Sequence, residues 1–172
     1  GFLKDIPEDK VSIAPNWYMA PSGADVTRSE QPESANGCVN VIYSGNLNDR
    51  IDWDLMGRCA KVSPHLRLHI VGDGARVTDE LRALMEIDNV IYHGPLSEAR
   101  VSRLLRSIHF AIMPHLRDEV STYMNPLKVL MYAAHGLRSV AVEVPGLNDI
   151  DGLHVVDTPD AFTEQVLTWV KD

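Results

Sequence analysis

The stretch Met124-Asn125-Pro126-Leu127-Lys128-Val129-Leu130-Met131-Tyr132-Ala133-Ala134-His135-Gly136 decides how the rest of the chain is read. Pro126 suits the first position of a helix, where a missing N–H costs nothing, and Asn125 before it suits the N-cap. Gly136 marks the stop. Upstream, His109 to Met113 reads as a strand that ends at Pro114, and downstream Ser139 to Val142 reads as the next strand. The helix therefore begins beyond the carboxyl end of a strand, after a long polar loop. In an open α/β sheet that is where ligands bind. The free N–H groups of a first helical turn favour an anion, and Lys128 adds a full positive charge one turn in. The plainer alternative is an ordinary packed helix carrying one solvated lysine.

Working outward, strands alternate with helices. Val39 to Tyr43 is a strand closed by Ser44-Gly45-Asn46, and Trp53 to Val62 has helical spacing behind an Asp52 cap. Leu66 to Val71 is a strand closed by Gly72-Asp73-Gly74, and a polar helix spans Val77 to Glu86. Asn89 to Tyr92 is a strand closed by His93-Gly94-Pro95-Leu96, and Ser97 caps a helix with Val101, Leu104, Leu105 and Ile108 inward. Phe110 to Met113 and Ser139 to Val142 flank the central helix. Leu153 to Val156 is a short strand, and Pro159 to Val170 is a closing helix with Phe162, Val166, Leu167 and Trp169 inward. Such alternation predicts βαβ units: an α/β fold, an open parallel sheet with helices on both faces. Residues 1–36, rich in Pro, Ser, Asn and acidic side chains, read as an entry segment and linker with a short strand at Val11 to Ala14; residues 37–172 read as one domain.

Composition narrows the function. The chain has 172 residues, 45% of them hydrophobic, and a net charge of −8, which argues against a nucleic-acid surface spread over the domain. The two cysteines, Cys38 and Cys59, form no metal spacing and read as buried, reduced thiols in a reducing compartment. No run of residues has the length and apolarity of a membrane span, and the first residues are too polar for a signal peptide. The chain starts at Gly1 rather than Met, so we expect a piece of a longer protein.

The glycine and proline loops after the strands share the carboxyl edge of a parallel sheet. Glycine there lets a ligand approach the backbone, which makes Gly45, Asn46, Gly72 and Gly94 candidate binding positions. Gly72-Asp73-Gly74 falls short of a dinucleotide fingerprint because Val77 stands where the third glycine belongs. GxxxxGK[ST] and GxSxG are absent. The seven histidines form no HExxH or HxH pattern, so no metal site is expected. His115, at a strand end facing the same edge as Lys128, either stacks on a planar ring, donates to a phosphate, or is simply a loop histidine. Arg50 either reaches a diphosphate or is solvated. Neither Asp118 with Glu119 nor Asp149 with Asp151 is placed to act as a paired acid and base.

In order, these pieces resemble the C-terminal, donor-binding domain of GT-B glycosyltransferases. Pro21-Ser22-Gly23-Ala24-Asp25 is similar to the turn that enters that domain. Val41-Ile42-Tyr43-Ser44-Gly45-Asn46-Leu47 resembles its first strand and glycine loop, Leu68-His69-Ile70-Val71-Gly72-Asp73-Gly74 its L-x-I-V-G-x-G strand, and Asn89 to Gly94 its N-V-x-x-x-G strand. Ala111 to Pro114 and Pro126 to Gly136 resemble P…P-x-K-x-x-E-Y-x-A-x-G. The resemblance implies a Rossmann-like half of a two-domain enzyme that binds a UDP- or GDP-sugar. It implies that Lys128 and the helix start, with Asn125 and Leu127, hold the diphosphate. The backbone near Gly94 and Leu96 would meet the base, with His115 beside it, and residue 131 would face the ribose. Met131 departs from the glutamate common there, and Tyr123 from the second acidic position of the EX7E pair. The nearest lineage suggested is the xanthan-type glucuronosyltransferases. The implied reaction is sugar transfer to a polysaccharide or glycolipid acceptor in bacterial surface assembly, with no metal or other cofactor. The acceptor domain and the base would lie upstream of this chain. The implied location is cytoplasmic, at the inner face of the membrane through that absent domain. The rival readings are a catalytically silent nucleotide-binding or partner-docking module and, ranked last, a sugar-nucleotide epimerase.

Overall fold

A computed structural model describes residue 32 and residues 37–76, 78–117, 127–143 and 150–172. In chain order the elements are β1 (Val39–Ser44), α1 (Trp53–Lys61), β2 (Leu66–Val71), α2 (Thr78–Met85), β3 (Val90–Tyr92), α3 (Glu98–Leu105), β4 (Phe110–Met113), α4 (Leu127–Ala134), β5 (Arg138–Val142), β6 (Leu153–Val156) and α5 (Pro159–Lys171). The strands form one six-stranded sheet in the order β3-β2-β1-β4-β5-β6, and every pairing is parallel. This is the open α/β sheet expected from the alternation of strands and helices.

The two-residue period of the strands divides the core into two layers. On one face Val41, Tyr43, Leu68, Ile70, Phe110 and Ile112 pack with α1, α2 and α5. On the other, Ile42, Val71, Ala111, Met113 and Ala141 pack with α3 and α4. Helices therefore cover both faces, which a parallel sheet of two-sided apolar strands requires. Local signals agree with this placement. Asp52 caps α1 by accepting the Leu55 N–H at 2.8 Å. Thr158 caps α5 by accepting from Ala161 at 3.1 Å, with Pro159 opening the helix.

Some expectations need correction. Ser97 sits at the cap position of α3 in extended conformation, yet its side chain makes no capping bond. Cys59 is buried, and burial pushes its thiol up to about 12, but Cys38 is only partly covered. The expected strand at Val11 to Ala14, the turn at Pro21 to Asp25, the pairs Asp118 with Glu119 and Asp149 with Asp151, and the residues Tyr123, Asn125 and Pro126 lie wholly or partly outside the described residues. Among the described residues no helix is long and apolar enough to cross a membrane.

Candidate functional site

The strand order turns back on itself at β1. The chain leaves β1 toward β2 on one side and later returns to β4 on the other. Connections on either side of such a point diverge, and the gap at the carboxyl edge is where ligands enter open α/β sheets. A cleft of about 450 Å³ opens beside this edge. Gly45, at the end of β1, and Gly72, at the end of β2, form its floor; Leu96 and Glu98 line it from the start of α3, and Leu127, Lys128 and Met131 from α4.

Lys128 is the centre of the site. Its ammonium donates to the Tyr43 hydroxyl at 2.8 Å and lies 3.2 Å from His115 Nε2. It also stands 4.3 Å from the centroid of the Tyr43 ring. The Tyr43 hydroxyl in turn donates to the Asn46 carbonyl at 3.4 Å. None of these contacts is with a carboxylate. The ion pairs formed among the described residues, Arg58–Asp160, Arg82–Asp79, Arg117–Glu143 and Arg138–Asp172, all leave Lys128 out. Burial, reinforced by the nearby charge of Arg50, pulls the Lys128 ammonium down to about 7. Burial, and then Tyr132, pushes the Tyr43 phenol far above its ordinary value, so Tyr43 is a neutral partner at any physiological pH.

The lysine can lie this low because Gly45 has no side chain. A Cβ there would come 2.9 Å from Lys128 Nζ. Tyr132 fixes the helix that carries the lysine. Its fully buried hydroxyl accepts the Ser44 N–H at 2.9 Å and lies 3.1 Å from Ser44 Oγ, tying α4 to the end of β1. Burial raises the Tyr132 phenol to about 12, so this tie stays neutral.

Of the residues expected at the site, Gly45, Gly72, Leu96, Leu127, Lys128 and Met131 line the cleft together. Gly94 does not line it; its carbonyl accepts the Gly72 N–H at 3.1 Å and so supports the floor. Asn46 is exposed next to Gly45. The placement of His115 corrects the expectation of an open stacking ring: it is 6% exposed, lies under Lys128, and is absent from the cleft wall. Gly72 also differs from its expected role. A Cβ on it would strike the Gly45 carbonyl and Leu47, so the missing side chain makes room for protein as well as for ligand. Sequence reading missed Tyr43, Tyr132 and Glu98. The two tyrosines occupy core positions of their elements, where the apolar pattern absorbs them. Glu98 is one of several charges in a polar helix start.

Comparison with known proteins gives a family match and a fold match. The family model described as glycosyl transferases group 1 matches residues 38–172. TuaH of Bacillus subtilis (strain 168), provisionally assigned as a glycosyltransferase of teichuronic acid biosynthesis, is 23% identical over 116 residues, covering 67% of this chain and 29% of TuaH. Among solved structures, the apo form of the lipopolysaccharide outer core galactosyltransferase WaaB superposes with a TM-score of 0.68 at 16% identity, covering 99% of this chain and 49% of WaaB. Anabaena Alr3699/HepE, solved in complex with UDP and glucose, superposes with a TM-score of 0.61 at 14% identity, covering 79% of this chain and 39% of that one. The chain thus spans less than half the length of each.

Proposed function

The chain belongs to the glycosyl transferases group 1 family, and from that premise we propose that it is the donor half of a two-domain enzyme that transfers a sugar from a nucleoside-diphosphate sugar. The observation that carries the proposal is Lys128, a half-buried cation without a carboxylate partner among the described residues, set in the first turn of α4 at the edge of the cleft. Leaving a cation half out of water with neutral partners is unfavourable unless an anion completes it. The N–H groups of the first turn of α4 have no partners within the helix, and a helix start favours an anion.

In this reading an acceptor hydroxyl attacks the anomeric carbon of the donor. The bond from that carbon to the diphosphate oxygen breaks, and the nucleoside diphosphate leaves with the electron pair. Lys128 and the α4 terminus stabilise the charge that builds on the departing oxygen. They fill the role a divalent metal plays elsewhere, so the transfer is proposed to need none. The general base and the acceptor pocket are assigned to an N-terminal domain outside this chain. UDP is the favoured nucleotide because HepE was solved with it, and GDP is the alternative. TuaH and WaaB, named for teichuronic acid and lipopolysaccharide assembly, support a bacterial cell-surface polysaccharide or glycolipid as acceptor; assembly at the cytoplasmic face of the membrane is part of the same proposal. The xanthan-type lineage rests on the Pro126-Leu127-Lys128 run alone.

Calorimetric titration with UDP and GDP tests the reading. Lys128→Ala is expected to weaken binding by about 1–3 kcal/mol, the range for a charge-assisted contact. No binding by the unaltered chain, or equal binding by the variant, contradicts it. One observation favours a second reading. Met131 lines the cleft and offers no acceptor to a ribose hydroxyl, as in a module that binds nucleotide without turning it over. Donor hydrolysis or transfer by the full-length protein separates the two.

A further inference from the structure

Among the described residues, Lys128 rests on the neutral Tyr43 hydroxyl and forms no ion pair with a carboxylate. The elements packed around it present Tyr43 from β1, Arg50 from the loop before α1, His115 from the segment after β4, and Tyr132 one turn along α4. Glu98 of α3 lines the same cleft. Tyr43 and Tyr132 are held neutral by burial, and the charge of Arg50 opposes that of Lys128. The shortest of these contacts is the 2.8 Å bond to the Tyr43 hydroxyl. Its acceptor is anchored, because Tyr43 is fully buried in β1.

We propose that Tyr43 is a positioning residue for Lys128, holding the amine against a buried neutral hydroxyl so that the amine takes up a proton from solvent when a diphosphate binds. This rests on the nucleotide reading above and adds a property that reading does not require. An ordinary surface lysine is already protonated at neutral pH, so binding an anion takes up nothing. Here the amine of the empty site is mostly neutral by pH 8, since its midpoint lies at about 7. A diphosphate restores the ordinary basicity of the amine, and the site takes a proton from solvent as it fills.

The test is titration of the 172-residue chain with UDP at pH 8 in buffers of different ionisation enthalpy, repeated with GDP. At that pH the terminal phosphate of free nucleotide is already ionised, so the uptake reports on the protein. The expected result is net proton uptake by the protein, about half a proton or more per UDP bound, with affinity falling several-fold from pH 7 to pH 8. Lys128→Arg keeps the charge but does not titrate, so its uptake falls to about zero and its affinity becomes flat with pH. Tyr43→Phe keeps the ring and removes the acceptor oxygen. It is expected to move the pH midpoint of UDP affinity downward, which a purely structural role for Tyr43 would leave in place. Binding that depends on Lys128 but takes up no proton overturns this proposal and leaves the nucleotide reading standing. An unmoved midpoint in Tyr43→Phe overturns the positioning role, and absence of binding to either nucleotide overturns both readings.

Discussion

At the residue scale the floor of the cleft depends on atoms that are missing. Gly72 has φ +154 and its absent Cβ would fall on the Gly45 carbonyl, a backbone atom that cannot swing aside. Gly72→Ala is therefore expected to cost at least about 2–3 kcal/mol, combining a conformation unfavourable for alanine with a backbone clash. Thermal unfolding of the variant checks this; a loss below about 0.5 kcal/mol contradicts the packing described. Gly45 has a different constraint, because its hypothetical Cβ meets the flexible end of Lys128. These two glycines were visible in the sequence as loop punctuation, but their separate duties were not. Spacing locates a glycine and says nothing about which atom needs the space. Tyr43 illustrates the same limit. Its alternation in β1 marks it as core, and the hydroxyl that meets Lys128 is a tertiary fact.

At the element scale the strands and helices were legible because each carries its own punctuation. Asp52 caps α1 as its position predicted, and Thr158 caps α5 ahead of Pro159. Ser97 did not cap, since a residue of the right type fixes where a helix begins without fixing the rotamer. The partnership of β2 and β3 could not be read so locally. His69 Nδ1 lies 2.9 Å from His93 Nε2, with rings stacked at 5.2 Å between centroids. Burial, then the neighbouring His93 and Arg67, lowers His69 to about 4, and burial lowers His93 as well. In an unfolded chain a histidine takes a proton near pH 6.5. Between pH 6.5 and about 4 the unfolded state therefore binds more protons than the folded one. The stability that neutral His69 allows is complete above 6.5 and is lost as pH falls toward 4. Denaturant unfolding across that range should show stability dropping by at most about 1.4 kcal/mol per pH unit from this residue, and His69→Gln should flatten the profile. An identical slope in the variant contradicts the assignment.

At the scale of the whole molecule, the parallel α/β sheet followed from the order of its elements, whereas the strand order β3-β2-β1-β4-β5-β6 follows from pairings that sequence spacing does not record. That order puts the α4 start beside the β1 loop, and so makes Lys128 and Gly45 neighbours. The sequence marked Lys128 as a candidate through the helix-start signals around it, and its seat on the neutral Tyr43 hydroxyl emerged only in three dimensions. The account is tested most directly by a crystal structure of the chain with UDP bound. It predicts the two phosphates within hydrogen-bonding distance of Lys128 Nζ and the first turn of α4, inside the cleft floored by Gly45 and Gly72. UDP bound elsewhere, with Lys128 still turned onto Tyr43 and the cleft empty, would contradict it.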